Sequence, residues 1–417
     1  MVRWRALELC LGYRQTVRMH YDIFCKVVDN FGDAAVCWRL AHQWMQEQQA
    51  EVRLFIDQPQ ALMALRPAQF VSPLDRAHHA SHGVDWQFGQ PGHGSLTVHH
   101  WRQDMAWTLP ASPYPIAVIE AFACGLPPSY VDQLVDRAHV WVVLEYFSAE
   151  DWVHTHHGLP SPHPRLKLNR YYFFPGVHLG TGGLLRASDD QMHRHDTTTR
   201  AQRRHDFWSA RGVASVQEDA LHISLFGYEN AALPELFAAW THSEQPIQLA
   251  VCDSPMRTQL QTLIGGAALR SGTTHQCGAV QLNVLPFMEQ PQYDQLLHIS
   301  DCNFVRGEDS LVRAFWAARA CVWQAYPQAG RVHQQKVDAL LACYAEALEP
   351  QPRVALTQLW QAWNAQRAFS ESPTAVWQAF VAVLPLLQTH APRWAAQLRG
   401  LGDLASNLAR FCAKRLE

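Results

Sequence analysis

The sequence predicts an α/β protein whose two Rossmann-like halves face each other across a cleft and are followed by C-terminal helices. Three observations support this. In the first half, short runs of β-branched and aromatic residues alternate with helical apolar patterns; the alternation starts again near residue 221; and the tail from about residue 354 has helical patterning throughout. With 417 residues, the chain is also long enough for two domains of ordinary size.

The residue pattern at the start of the first half predicts a β-α-β unit. Residues 21–28 are rich in strand-forming side chains, and residues 33–49 carry apolar side chains at the period of one helix face. Residues 51–57 predict the second strand of a right-handed unit. The further strands predicted here are residues 96–101, 116–122 and 138–147. Residues 148–183 are rich in proline and glycine and predict a loop, and the polar residues 187–206 predict a connection.

The second half predicts the same alternation. Its elements, in order, are strand 221–230, helix 231–242, strands 247–253 and 280–287, helix 291–300, strand 302–307, helix 309–319, strand 321–326 and helix 333–347. We therefore expect an extension at residues 1–18, an N-terminal domain at 19–183, a second domain at 184–353 and helices at 354–417. The last helix is expected to pack back on the N-terminal domain.

Composition excludes several classes of partner. The net charge is −3, and no block of lysine and arginine suggests a nucleic-acid footprint. No apolar run approaches the ~20 residues of a membrane span, and residues 1–18 lack a signal-peptide core. The ten cysteines form no CxxC pair and lie within predicted elements, which suits reduced thiols in the cytoplasm.

Motifs for common cofactors are also missing. Neither half has a GxGxxG or GxxxxGK[ST] pattern, and the chain offers no convincing DxD motif. The histidine run at 154–157 lacks the spacing of a helical zinc pair, so solvated or packed histidines are expected there. The sequence predicts no metal and no cofactor.

Two aspartates follow the first predicted strand in "VVDNFGDAAVCWRLA". Asp29 and Asp33 lie at the carboxyl end of that strand, where open α/β sheets bind ligands. The alternative is that Asp33 only caps the helix while Asn30 makes the turn.

A second acidic group opens the helix in "FVRGEDSLVRAFW". The backbone of Asp309 and Ser310 at the helix start suits a diphosphate, and the Glu308 side chain is free to meet a sugar hydroxyl. Here too the alternative is a capped helix. Upstream residues suit a planar base, by stacking or by hydrogen bonding to its edge, although each aromatic also fits a core: Phe226, Tyr228, Phe287, Gln290 and Tyr293.

Several longer stretches resemble one family. "DIFCKVVDNFGD", "CWRLA", "LEYFSAEDWV", "GLPSPHP", "YYFFPGVHLGTGGLL", "SLFGYEN" and "FVRGEDSLVRAFWAARACVWQAYPQ" are similar, in this order, to the elongation factor P arginine rhamnosyltransferases of bacteria. The resemblance runs from about residue 20 to the C-terminal helices. In one departure, Ala34 and Ala35 replace a pair that is commonly Ile-Gly.

The resemblance implies a GT-B glycosyltransferase that moves rhamnose from dTDP-β-L-rhamnose to an arginine of elongation factor P with inversion. This would activate the factor for ribosomes stalled at polyproline stretches. It implies Asp29 and Asp33 for the acceptor arginine and catalysis, and Glu120 is a weaker acceptor candidate. The donor positions it implies are Phe226, Tyr228, Phe287, Gln290, Tyr293, Glu308, Asp309 and Ser310.

The chemistry of an arginine acceptor explains why the site would need two carboxylates. Guanidinium presents a planar fork of donors but is a poor nucleophile. Proton transfer from arginine (pKa ~13.8) to an ordinary aspartate (~3.9) costs roughly 13 kcal/mol, so the proton should leave as the C–N bond forms. We expect Asp33 to be the general base and Asp29 to orient the guanidinium. The alternatives are a GT-B enzyme for another sugar or acceptor, a silent elongation factor P binder and, more remotely, a metal-dependent phosphohydrolase.

Overall fold

The computed structural model of the protein describes residues 19–28, 31–66, 84–89, 93–102, 114–135, 139–186, 198–213, 219–364, 369 and 372–416. These residues form two sheets, each covered by helices. Residues 1–18 lie outside the described part, so the predicted extension is not addressed by it.

The first sheet has eight strands in the order β3-β4-β2-β1-β5-β6-β8-β7. They are β1 His20–Cys25, β2 Glu51–Ile56, β3 Val84–Gly89, β4 Ser95–His100, β5 Ala117–Ala121, β6 Val140–Leu144, β7 Pro160–Pro162 and β8 Asn169–Phe173. Its helices are α1 Gly32–Gln48, α2 Pro59–Leu65, α3 Pro128–Asp132 and α4 Val153–His156. The central strands pair in parallel, whereas both edge strands are antiparallel to their neighbours.

The second sheet has six strands in the order β11-β12-β10-β9-β13-β14. They are β9 Leu221–Leu225, β10 Ile247–Val251, β11 Thr274–Cys277, β12 Val280–Val284, β13 Cys302–Arg306 and β14 Ala320–Gln324. Its helices are α5 Arg200–Ser209, α6 Leu233–Thr241, α7 Pro255–Leu263, α8 Gln290–Ile299, α9 Gly307–Ala317 and α10 Val332–Ala345. A 3-10 turn at Ala329–Arg331 precedes α10.

Three C-terminal helices complete the chain: α11 Pro350–Trp363, α12 Pro373–Gly400 and α13 Leu404–Leu416. The first two bury Trp360 and Trp377 in the core of the second domain. In contrast, α13 contributes Leu408 and Cys412 to the core of the first domain. The Trp44 indole N–H donates to the Ala405 carbonyl over 2.9 Å. The end of the chain therefore crosses back to the domain where it began.

Several elements differ from the sequence prediction. The predicted loop 148–183 contains β7 and β8, which extend the first sheet at its edge; proline-rich edge strands lack the alternating pattern that identifies strands. The short antiparallel β11 and the helices α5 and α7 were also not predicted as such. Strand 280–287 ends at Val284, shortly before Pro286, which cannot donate to a ladder.

Among the described helices, none combines the length and apolar character needed to cross a lipid bilayer. The cysteines in the described part of the chain are all free thiols, most of them buried.

Candidate active site between the two domains

A cleft of about 760 Å³, partly open to solvent, lies between the two domains. Phe31, Gly32 and Leu65 line it from the first domain, and β13, α8 and α9 supply most of the other wall. Both α1 and α9 begin near the carboxyl end of a parallel strand, the usual place for ligand sites in such sheets. Glu308, Asp309 and Ser310 line this cleft, and Asp33 directly follows its lining residue Gly32. Asp29 lies outside the described residues.

Asp33 lies in the first turn of α1 and is only 2% exposed. Its Oδ2 accepts a hydrogen bond from the Val28 N–H over 2.7 Å. The helix has no side-chain cap, because its N-cap residue is Phe31. The alternative in which Asp33 merely caps the helix is therefore not what the structure shows. Asp33 holds the segment after β1, and its charge also acts on Tyr146 of the first domain and Glu308 of the second.

Tyr146 connects Asp33 to the second acidic group. Its hydroxyl donates to Asp33, and its pKa is raised first by burial and then by the charges of Asp33 and Glu308. The Tyr146 ring stacks on Phe122 with centroids 4.4 Å apart. The Lys336 ammonium lies 5.9 Å from the same ring. A stacked ring thus positions the phenol beside both carboxyl groups.

Glu308 is the titratable carboxyl group of this cluster. Burial, the largest effect, raises its pKa to about 7, and the charge of Asp33 adds to that rise. The Lys336 ammonium, 3.5 Å from Oε1, and the Phe147 N–H, 2.8 Å from Oε2, oppose the rise. A quarter of the side chain remains exposed towards the cleft. Its carboxyl group therefore changes charge near neutral pH.

Asp309 belongs to a buried network of charges that joins the domains. Arg39 of α1 and Arg313 of α9 both donate to its carboxylate, Arg313 over 2.8 Å. Although burial alone would raise the pKa of Asp309, the two arginines hold it below its ordinary value. Arg313 also donates to both oxygens of Asp294, each over 2.7 Å. The Asp309 side chain is thus committed to the protein, which leaves its backbone for the cleft.

The start of α9 is built to receive an anion. Gly307 adopts φ 60°, a conformation that favours glycine, and turns the chain from β13 into the helix. Glu308, Asp309 and Ser310 line the cleft, and the first N–H groups of a helix have no intrahelical acceptors. Arg306 ends β13 and also lines the cleft. Positive charge and free backbone donors therefore meet at this end.

Two of the predicted base-stacking residues, Phe226 and Tyr228, pack against the Arg306 guanidinium. Its guanidinium carbon lies 4.4 Å from the Phe226 ring centroid and 4.8 Å from that of Tyr228. Among the described residues, Arg306 Nη1 has no hydrogen-bond partner although it is buried. Phe226 lines the cleft, whereas the Tyr228 ring lies against Tyr326. These two rings support Arg306, a residue of the cleft wall that keeps a spare donor group.

Phe287 is the most accessible aromatic residue of the cleft. It is 43% exposed and meets Phe31 of the first domain edge-on at 5.3 Å. Tyr293 packs edge-on against Phe226 and lies close to the Ser310 hydroxyl. An open aromatic face at the mouth of the cleft suits a planar ring.

Gln290 provides polar recognition in the same wall. It is the first residue of α8 and is 4% exposed. Its Oε1 accepts from the Arg66 guanidinium over 3.3 Å, whereas Nε2 has no partner among the described residues. A buried amide with a spare N–H pair suits a carbonyl on the edge of a base.

Glu120 is placed differently from the other predicted residues. It is 4% exposed on β5, and its two oxygens accept from the Gly125 N–H and the Trp141 indole N–H, each over 2.9 Å. Both oxygens are therefore engaged in holding the first domain together. Acceptor binding by Glu120 stays a prediction.

Sequence reasoning missed four residues of this site. Tyr146, Lys336, Arg306 and Arg39 all contact predicted site residues or their rings. Two of them carried a signal, since Tyr146 follows the end of β6 and Arg306 directly precedes Gly307. Arg39 and Lys336 lie mid-helix or early in a helix, and only the fold brings them to the cleft.

Comparison with known proteins gives concordant matches. Residues 21–413 match the family described as "Elongation-Factor P (EF-P) rhamnosyltransferase EarP". The protein-arginine rhamnosyltransferase of Pseudomonas putida is 39% identical over 393 residues, covering 94% of this chain and 98% of the relative. The protein of the same name from Pseudomonas aeruginosa is 36% identical over 403 residues, covering 94% and 98%.

A solved structure gives the same answer for the fold. It is described as "Structural basis for EarP-mediated arginine glycosylation of translation elongation factor EF-P" and superimposes with a TM-score of 0.63 at 28% identity. The match covers 95% of this chain and 99% of the other. The predicted fold, two Rossmann-like domains of the GT-B type with C-terminal helices, is confirmed.

Proposed function

Because the chain belongs to the elongation factor P rhamnosyltransferase family, we propose that it transfers rhamnose from dTDP-β-L-rhamnose to an arginine side chain of translation elongation factor P. The transfer inverts the anomeric centre and prepares the factor for ribosomes stalled at polyproline stretches. The observation that carries the proposal is the hydrogen bond of Tyr146 to Asp33, together with a Glu308 close enough for charge effects between it and both residues. This arrangement places an acceptor carboxylate near a donor carboxyl group.

The acceptor arginine enters beside Asp33. A guanidinium offers planar N–H donors that a carboxylate accepts well. Asp33 is held by the Val28 N–H and the Tyr146 hydroxyl, so its orientation is set before the substrate arrives. Asp29 is the proposed second acceptor carboxylate, which orients the guanidinium.

One guanidinium nitrogen attacks the anomeric carbon from the face opposite the diphosphate. The new C–N bond forms as the bond from that carbon to the diphosphate oxygen breaks, which inverts the centre. The nitrogen becomes acidic as it donates its electron pair, and its proton passes to Asp33. The electron pair of the broken bond leaves with dTDP.

The donor lies along the second domain. Phe287 stacks on the thymine, and the Gln290 amide donates to a base carbonyl. The N–H groups at the start of α9 and the Arg306 guanidinium bind the diphosphate and stabilise its charge as it leaves. Ionised Glu308 accepts a hydrogen bond from a sugar hydroxyl and stabilises the positive charge that develops on the sugar. Since the chain supplies these positive groups itself, we propose transfer without a metal ion.

The test is the intact mass of elongation factor P from the same organism after incubation with this protein, dTDP-β-L-rhamnose and EDTA. We expect a gain of one deoxyhexose, mapped by fragmentation to one arginine. The Asp33→Asn variant is the matched control and should give no gain. A gain that vanishes with EDTA would overturn the metal-independent mechanism.

Other outcomes identify the alternatives. If the donor binds and the mass of the factor stays unchanged, the protein is a GT-B enzyme for another acceptor or a silent binder, and co-purification with the factor separates the two. If the protein hydrolyses phosphate esters and EDTA abolishes this, the proposal yields to a metal-dependent phosphohydrolase.

A further inference from the structure

One cluster of metal-ligating side chains lies outside the cleft. Among the described residues, a single group of three brings such atoms together: one carboxylate oxygen of Asp151 and one ring nitrogen each of His154 and His178, all within 4.8 Å of one another. Asp151 and His154 are exposed, and His178 is half-buried. The two imidazole rings lie 4.6 Å apart between centroids. From this geometry we propose a binding site for one Zn²⁺ ion on the first domain.

One nitrogen of each ring lies against a backbone carbonyl. His154 Nδ1 lies 3.2 Å from the Leu179 carbonyl, and His178 Nε2 lies 3.0 Å from the Ala149 carbonyl. A carbonyl only accepts, so in each neutral ring this nitrogen carries the proton and the other keeps its lone pair. Metal-ligating histidines characteristically donate their second N–H to such an acceptor, which fixes tautomer and orientation.

The backbone segments that carry the ligands are tied together. The Ser148 N–H donates to the Pro175 carbonyl over 3.1 Å, and the Thr181 N–H donates to the His178 carbonyl over 3.2 Å. The turn with His178 is thereby held against the segment that leads to Asp151. Little backbone ordering remains for an ion to impose, which favours binding.

The donor set indicates the ion. Two imidazoles and one carboxylate suit a borderline divalent transition ion, and zinc sites with three protein ligands complete the shell with water. At zinc bond lengths near 2.1 Å, tetrahedral ligands lie roughly 3.4 Å apart. Exposed side chains reach that spacing from 4.8 Å by small rotations. Water fills the fourth position, because Asp151 and His154 face solvent.

This site is separate from the proposed transferase chemistry and does not depend on it. The histidine run at 154–157 was expected to be solvated or packed, since its own spacing matches no zinc motif. The missing ligand comes from position 178, on a turn that only the fold brings near. Only one histidine of that run, His154, belongs to the cluster.

The test is isothermal titration of the untagged, full-length protein with ZnCl₂ in a non-chelating buffer. His154→Ala and Asp151→Asn should each bind one equivalent of Zn²⁺ fewer, or bind that equivalent at least tenfold more weakly. His156→Ala is the matched control, because His156 lies two residues away, is also exposed and bonds locally to Trp152 and Thr155. It should bind as the unmodified protein does.

A second readout uses thermal unfolding. Zn²⁺ should raise the Tm of the unmodified protein and of His156→Ala, because an ion that binds only the folded protein stabilises it. The Tm of His154→Ala and Asp151→Asn should stay unchanged, because these variants lack a ligand. Equal metal-free Tm values show that the variants fold. The proposal is overturned if His154→Ala keeps every equivalent, or if His156→Ala loses as much as His154→Ala.

Discussion

Glu308 shows at the residue scale how burial prepares a group for chemistry. Its carboxyl group has an ordinary pKa near 4.3 in water. In this protein burial raises the pKa to about 7, against the opposing effects of Lys336 and the Phe147 N–H. A carboxyl group that titrates near neutral pH at a cleft is a common mark of an active site.

The first prediction is a pH profile that depends on Glu308. If the reaction needs ionised Glu308, the active fraction of the enzyme is small below this pKa and nearly complete above it. We therefore expect kcat/KM of the transfer to rise about tenfold between about pH 6 and about pH 8, around the pKa of about 7. Glu308→Gln should be slow at every pH and should lack this rise. A profile for Glu308→Gln with the same rise would assign the titration to another group.

The second prediction concerns Asp33. We expect Asp33→Asn to lower kcat by roughly 10²–10⁴-fold, the usual contribution of a general base. Its dTDP-rhamnose affinity should stay within about twofold, because the proposed donor contacts come from the second domain. Fluorescence titration with the donor and the intact-mass assay measure the two effects.

A matched control is Asp206→Asn on the exposed surface of α5, which should change neither quantity. A large loss of donor affinity in Asp33→Asn would contradict the division of labour between the domains.

At the scale of elements, the strand-to-helix turns carry most of the site. α1 brings Asp33 and Arg39, six residues apart in the sequence, to the side of the first domain that meets the second. α8 and α9 present Gln290 and Glu308 from their first turns. Helix starts serve this purpose because their N–H groups are free and their dipoles favour anions.

The third prediction tests the donor wall. Phe287→Ala should weaken donor binding by about fivefold to a hundredfold, from the roughly 1–3 kcal/mol that base stacking on an aromatic side chain contributes. Leu386→Ala on α12 removes a comparably exposed apolar side chain far along the chain and should leave donor binding unchanged. Calorimetric titration with dTDP provides the measurement. Unchanged affinity in Phe287→Ala would remove the stacking assignment.

At the scale of the whole molecule, two of the connections between the domains stand out. One is the pairing of Arg39 with Asp309 across the cleft. The other is the C-terminal tail, in which α12 packs on the second domain and α13 on the first. Residues 401–403, which join α12 to α13, therefore connect the two cores.

The fourth prediction tests the tail. Leu408 is fully buried in the first core, so Leu408→Ala should destabilise that domain by roughly 2–5 kcal/mol. Leu416→Ala on the same helix makes the identical change at a side chain that is 38% exposed and should cost far less. Thermal unfolding of both variants gives the comparison. Equal Tm values would show that α13 contributes little to the first domain.

Much of this protein was predictable from its sequence, because strand and helix periods are local properties. The alternation located most of the central strands and helices within a few residues, and the turns at Gly32 and Gly307 marked the two acidic groups. What failed was local as well: β7 and β8 lack an alternating pattern, so a sheet edge was interpreted as a loop.

Other properties depended on the tertiary structure alone. The contact of Tyr146 with Asp33, the pairing of Arg39 with Asp309 and the approach of His178 to His154 join residues that are 24 to 270 positions apart, or that lie in different domains. The raised pKa of Glu308 arises from burial that no single segment specifies. The sequence by itself determined which residue types stand at the strand ends and helix starts. Only the fold decided which of them meet, because distance and desolvation are properties of the packed chain.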